Sequence, residues 1–340
     1  MKFYINGMGT ISSQLRDDEQ ELLVLRKLSA LKNNCIEPKY ANYISPVAIR
    51  RMSRVVKMGV ASAKMALQNA QLDKPDLIIL GTGYGCLQDT ENFLESMILQ
   101  NESMLSPSAF IQSTHNAVSG QIALQVKCFG HNFTYVQRAH SFELALQESM
   151  CWLQEEPNKE ILVGGIDEMT THSHTIIKRF GTYKKEDETV DSNSKGTLAG
   201  EGSSMFVLST KKTEHTWATL IDIAFRIEAV NSDFVHSFLE KNNVRAEDIS
   251  ICLSGNNIDA RYQAYYKNVE QLFACQKIYF KAFCGEFPTA TGFAMALACS
   301  ILYKQLIPIE EIENKEKIKY ILIVNQYKET YSSLLLLEQA

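Results

Sequence analysis

The 340-residue chain has no excess of positive charge: 34 Lys and Arg stand against 39 Asp and Glu, a formal net charge of −5. Nucleic-acid recognition normally needs a basic patch or stripe, so no nucleic-acid partner is expected. There is no C-x-x-C pair. The eight cysteines, at positions 35, 86, 128, 151, 252, 275, 284 and 299, are scattered, which excludes a disulfide framework and suits reduced thiols. Long hydrophobic runs are missing as well. The longest, residues 293–303, is interrupted at Cys299 and Ser300 and falls short of the roughly 20 residues that span a bilayer, so no membrane insertion is expected. The opening residues 1–7 hold too short an apolar stretch for a signal peptide and no small-residue cleavage site, so a cytoplasmic protein is expected. With 45% apolar and 21% charged residues the mixture is that of a globular protein, of about two domain-sized units by length.

The common catalytic and cofactor signatures are also wanting. Gly81-x-Gly83-x-Gly85 places Cys86 where the third glycine of a dinucleotide loop belongs, and no acidic residue about 20 positions on completes that fingerprint. A tight strand-to-helix turn is the better reading. P-loop, H-E-x-x-H and G-x-S-x-G patterns are absent, and Ser29-x-x-Lys32 lacks the companion motifs of serine acyl enzymes. His172 and His174 read as loop histidines on an extended segment, with no Cys or carboxylate to complete a metal site. No cofactor and no metal are expected, and each cysteine reads as a small buried hydrophobe.

What is present is an alternation of short apolar runs and helical periods. Residues 1–11 read as a strand turning at Gly7-Met8-Gly9, and 14–44 as a surface excursion. Ser45-Pro46 opens a long helix whose Ile49, Met52, Val56, Val60, Ala63 and Leu67 share one face, with Arg50, Arg51, Arg54 and Lys57 on the other. Strands are expected at 77–80, 133–136, 161–165 and 204–209, helices at 87–100, 113–126 and 141–155, and a loop over 181–200. Beyond 210 the pattern recurs in shortened form, with strands at 249–253, 320–324 and 332–337. Strands alternating with helices imply an α/β layered protein. The echo predicts two related halves, 1–209 and 210–340.

Several segments, in order, resemble the beta-ketoacyl-acyl carrier protein synthases of the thiolase superfamily. Tyr4-Ile5-Asn6-Gly7-Met8-Gly9 looks like the family's first strand and glycine turn, and Gly81-Thr82-Gly83-Tyr84-Gly85 like its second. Ser113-Thr114-His115-Asn116-Ala117-Val118-Ser119-Gly120 is similar to the S-x-x-N-x-x-x-G start of a helix at the dimer interface. Val163-Gly164-Gly165-Ile166-Asp167-Glu168 resembles V-x-G-G-x-E with one residue inserted before the acid. Gly200-Glu201-Gly202-Ser203-Ser204-Met205 is close to G-E-G-A-G-M. Lys281-Ala282-Phe283-Cys284-Gly285-Glu286 and Ala290-Thr291-Gly292 follow K-S-x-x-G-H-x-x-G-A-x-G. The resemblance covers nearly the whole chain and implies a five-layer αβαβα fold of two pseudo-duplicated halves.

The departures from that family carry the functional expectation. An active synthase needs a Cys thiolate at the start of a buried helix to accept the acyl group, and two His side chains that assist decarboxylation and stabilise the enolate. Ala139 falls in the nucleophile's place, or His140 after a one-residue shift. The two His positions fall on Ser254 and Glu286, while the pattern's Lys281 and Glu201 are retained. The glycine-rich gate N-S-F-G-F-G-G is replaced by Asn325-Gln326-Tyr327-Lys328-Glu329-Thr330. Such losses are similar to those of chain-length factors, and Ala139-His140-Ser141-Phe142-Glu143 resembles the type found in aryl polyene and flexirubin pigment clusters. The resemblance implies a non-catalytic subunit that pairs with an active ketosynthase through residues 108–120 and 133–136 and meets an acyl carrier protein through that complex. Two alternatives remain open: a divergent active acyltransferase or ketosynthase, using His140 or Cys128 for acyl transfer, or a malonyl decarboxylase; and a homodimeric acyl-ligand-binding scaffold.

Overall fold

The computed structural model describes residues 1–14, 24–309 and 317–340. The first half runs β1 (Phe3–Ile11), α1 (Pro46–Ile49), α2 (Arg54–Asn69), β2 (Leu77–Gly81), α3 (Leu87–Leu99), α4 (Pro107–Gln112), α5 (Ala117–Val126), β3 (Asn132–Tyr135), α6 (Ser141–Glu155), β4 (Glu160–Asp167), α7 (Thr171–Arg179) and β5 (Gly202–Ser209). The second runs β6 (Ala218–Arg226), α8 (Ser232–Lys241), β7 (Ile249–Ser254), α9 (Gln263–Glu270), β8 (Gln276–Tyr279), α10 (Lys281–Cys284), α11 (Ala290–Lys304), β9 (Tyr320–Tyr327) and β10 (Tyr331–Glu338).

The strands follow the order β3-β2-β4-β5-β1-β6-β10-β9-β7-β8. Each set of five repeats one plan. β2 is parallel to β3 and β4, as β7 is to β8 and β9; β5 and β1 then continue antiparallel, as do β10 and β6. The two sets meet at the antiparallel pair β1–β6, where Phe3, Tyr4 and Ile5 face Leu220, Thr219 and Ala218.

Side chains alternate across a strand, and in the inner strands of each set, such as β4 and β9, both alternate sets are apolar, so these strands are covered on both faces. In β4, Ile161 and Val163 enter the central core while Leu162 and Ile166 enter an outer core with α2 and α5. In β9, Ile321 and Ile323 face the same centre while Leu322 and Val324 pack outward with α8 and α9. α6 and α11 fill the centre between the two sets. α11 is buried all round from Ala290 to Leu302, as a helix wrapped by protein must be. The layers are therefore helix, sheet, helix, sheet, helix: the five-layer α/β plan of the thiolase fold.

Four local expectations are corrected. β1 does not turn at its glycines but runs through them. α2 crosses so closely that a Cβ on Gly7 would lie 2.3 Å from the Ala66 carbonyl oxygen, and one on Gly9 2.2 Å from that of Ser62. The helix from Ser45 is two helices: the backbone leaves α1 at Arg50, and Ser53 takes an extended N-cap geometry that starts α2. The helix expected over 113–126 begins as α4 at Pro107 and restarts as α5. Between them the Ser113 and Thr114 hydroxyls donate back to Phe110 O (2.7 Å) and Ile111 O (2.8 Å), satisfying carbonyls that a continuous helix would use. His172 and His174 lie on α7, not on an extended loop, because Thr170 and Ser173 form a reciprocal capping box. Of the excursion over 14–44, residues 15–23 lie outside the described residues. The rest is mostly irregular and buries Leu25, Cys35 and Ile44. Among the described residues no helix is long and apolar enough to cross a membrane.

Candidate functional site

The head of α6 is the first part of the site. The Ser141 hydroxyl accepts from Gln137 N (2.8 Å) and donates to Thr82 O (2.9 Å), tying the helix start to the glycine turn after β2. Ala139 is buried and presents only a methyl group. His140 is buried between the rings of Phe225 and Tyr331, each 5.0 Å away, with Nε2 3.1 Å from Ser332 O. Burial pushes its pKa below the usual imidazole range, against the opposing pull of the Ser332 carbonyl. A neutral ring facing a carbonyl must carry its proton on Nε2, so His140 donates a structural hydrogen bond. Arg138 takes a left-handed backbone (φ 50°) and is exposed at this turn. No thiol stands here: Cys128 sits in the outer core, its Sγ 3.6 Å from Asp76 O. That placement speaks against Cys128 as a nucleophile.

Glu286, Lys281 and Asn257 converge on the other side of α11's N-terminus. Gly285 (φ 75°) ends α10 in a conformation open to glycine, and Glu286 N then donates to Leu198 O (2.8 Å), holding the acid against the 197–200 segment. Glu286 Oε2 accepts from Lys281 Nζ at 2.9 Å and from Asn257 Nδ2 at 2.6 Å. Lys281 also donates to Gln326 O (2.9 Å), which takes a second bond from the Tyr266 hydroxyl (3.1 Å). Burial raises the Glu286 pKa, and the Lys281 ammonium opposes it. Ser254 does not join this group: its hydroxyl is hydrogen-bonded to Glu270. The residue of that segment which reaches Glu286 is Asn257, three positions on, and nothing in the motif singled it out.

Two further carboxylates organise the surroundings. Asp167, fully buried at the end of β4, accepts from Gly83 N (2.8 Å), Tyr84 N (3.0 Å) and Thr82 Oγ1 (3.1 Å) on one oxygen, and from Thr289 N and Oγ1 on the other. Burial raises its pKa to about 6, against these hydrogen bonds. The acid that ties the glycine turn to α11 is thus Asp167, two residues after Gly165, and no inserted residue is needed. Glu168 instead accepts from Gln88 N (3.0 Å). Glu201 is buried and accepts from Cys35 N (2.8 Å), Met169 N (2.8 Å), Asn34 Nδ2 (3.0 Å) and two nitrogens of Arg54. Burial would raise its pKa, but the Arg54 guanidinium holds it below the usual carboxylate range. Arg54 is therefore an ion-pair partner of a buried acid and not one of a row of solvated cations.

The end of β9 meets the glycine turn after β2. Tyr327, at the end of β9, meets Tyr84 of the glycine turn hydroxyl to hydroxyl at 3.0 Å. Below them Glu286 borders a cavity of only about 10 Å³. That is room for about one water, while Asn257 and Lys281 also line a pocket of about 160 Å³. Among the described residues no group of three His, Cys, Asp or Glu side chains could hold a metal ion.

A second feature is an apolar surface on the first half. Edge strand β3 exposes Phe133, Val136 follows it, and Phe110, Ile111 and Leu124 of α4 and α5 are 57%, 64% and 66% exposed. Met52, Val56, Ile111 and Leu124 line a pocket of about 390 Å³ between α2, α4 and α5. Exposed apolar groups gathered in this way mark an interaction face.

Residues 26–180 match the family model described as beta-ketoacyl synthase, N-terminal domain. Among solved structures, a chain of the ishigamide ketosynthase/chain length factor covers 100% of this chain and 99% of its own length, at a TM-score of 0.77 and 17% identity. A chain of the ketosynthase ApeO in complex with its chain length factor ApeC, from Xenorhabdus doucetiae, covers 100% and 98% at a TM-score of 0.78 and 12% identity. A beta-ketoacyl synthase from Burkholderia phymatum STM815 covers 100% and 99% at 0.78 and 12%. A comparison with curated protein sequences gives no match. The fold is that of the thiolase-type ketosynthases over the whole chain. The sequence resembles the beta-ketoacyl synthase superfamily, and complexes of a ketosynthase with a chain length factor are among its structural relatives.

Proposed function

We propose that this chain is a non-catalytic, chain-length-factor-like subunit of a beta-ketoacyl-acyl carrier protein synthase. The observation that carries the reading is the chemistry of the former active site. The head of α6 offers a methyl group and a neutral, hydrogen-bonded imidazole, while Glu286, Lys281 and Asn257 fill the opposite wall with an ion pair. A condensation needs a nucleophilic sulfur and hydrogen-bond donors for the enolate. Glu286 Oε2 is an acceptor already engaged twice, and Ser254 is turned to Glu270.

In this reading the chain forms a heterodimer with a catalytically complete ketosynthase in the cytoplasm. The apolar face of α4, α5 and β3 meets the partner, and the acyl carrier protein reaches the complex through that partner. The subunit borders the partner's acyl tunnel and limits the growing chain, in fatty-acid or polyketide synthesis of the aryl polyene type. The chain divides at 209/210, between β5 and β6, into two thiolase-like halves. Co-expression with the candidate ketosynthase tests the proposal. A stable one-to-one complex that makes product, with neither chain active alone, is the expected result. Product formation by the isolated chain overturns it.

A further inference from the structure

Glu286 is left incomplete by its neighbours. Its Oε2 takes two hydrogen bonds, whereas the buried Oε1 has no partner among the described residues. A buried polar atom without a partner costs the desolvation of that group, so native interiors rarely leave one bare. The cavity of about 10 Å³ lies against this residue, walled by Thr182, Thr197, Asp259, Tyr262, Tyr327 and Lys328. Its size is about one water-sized sphere and its wall is polar, the two conditions for an ordered internal water. Two acids, Glu286 and Asp259, and two cations, Arg261 and Lys328, border the space, so its charge selects neither sign of ion. An acyl group does not fit at all. A small donor does: Asp259 is already bound by Arg261, and Lys328 forms no salt bridge among the described residues.

We propose that this cavity is a built site for a single water molecule, which donates to Glu286 Oε1 and accepts from a donor of the wall, Lys328 or one of the hydroxyls of Thr182 and Tyr262. Water suits either protonation state of the acid. It donates to a carboxylate oxygen and accepts from a carboxyl O–H, so the bond survives the upward pull that burial exerts on this group. The water completes the ion pair's hydrogen bonding. The inference goes beyond the subunit's proposed role and stands on the cavity and the unpartnered oxygen alone.

The test is a high-resolution crystal structure of the full chain, alone or with its partner, grown with rubidium in place of sodium. The expected result is one solvent-level peak within about 2.6–3.2 Å of Oε1, with a second polar contact and no anomalous signal. An anomalous peak makes it a cation site and overturns the proposal, as does an empty cavity or a peak out of reach of Oε1. None of these results depends on whether the chain pairs with a synthase, so failure here is distinct from failure of the functional reading.

Discussion

At the scale of single residues, the candidate site is filled by its own side chains. Lys281 and Glu286 are both buried and hold each other at 2.9 Å. Removing one partner of such a pair leaves a buried charge uncompensated, which costs about 3–5 kcal/mol, whereas replacing both with apolar groups is often close to neutral. Lys281→Met should lower stability by that amount in urea unfolding, and Lys281→Met combined with Glu286→Leu should recover most of it. Restoring the sulfur alone should not restore chemistry. Ala139→Cys, assayed as isolated chain with acyl- and malonyl-carrier thioesters, should yield no condensation product, because Ser254 and Glu286 supply no free donor for the enolate. Turnover by that variant would show that the three departures are not jointly disabling.

At the scale of elements, most strands and the helices α3 and α6 were legible because they bury two alternate faces or one helical stripe, whereas β6, β8 and the helices after α6 went unread. β2, β4, β5, β9, β10 and α6 lie where the apolar runs and periods put them. The misreadings share a cause: local residue types were read without the tertiary contact that gives them meaning. Gly7 and Gly9 look like turn residues, yet they serve the crossing of α2 over β1. Arg54 looks like a surface charge, yet it answers Glu201 from 147 positions away. Asn257 and the pair Tyr84–Tyr327 were invisible because only the fold brings them to their partners, 29 and 243 positions away. Gly9→Val tests the crossing. A side chain there meets helix backbone, which cannot move aside cheaply, so the variant should lose at least about 2 kcal/mol in chemical denaturation or fail to fold. Wild-type stability would refute the close approach.

At the scale of the whole molecule, the five layers need polar side chains inside them, and these set the pH response. Burial raises Asp167 to about 6, Glu168 to about 7 and Glu143 to about 7. A carboxyl raised in the folded state binds protons that the unfolded chain has already released between its ordinary pKa and the folded value. These three groups therefore contribute stability that is present below about pH 4 and lost as pH rises toward about 7. Glu201, held low by Arg54, acts in the opposite sense and loses its contribution as pH falls below the usual carboxylate range. Unfolding midpoints of Glu143→Gln and the parent chain should differ more at pH 8 than at pH 5, with the variant the less pH-sensitive. An equal difference at both would remove Glu143 from this account. The apolar face of α4, α5 and β3 belongs to the same scale, since the proposed partner covers it.

The most direct measurement is the intact mass of both chains of the co-expressed complex, quenched during turnover with acyl-carrier thioester. The account predicts an acyl increment on the ketosynthase alone and an unmodified mass for this chain. An acyl adduct on this chain, with or without its partner, would contradict it.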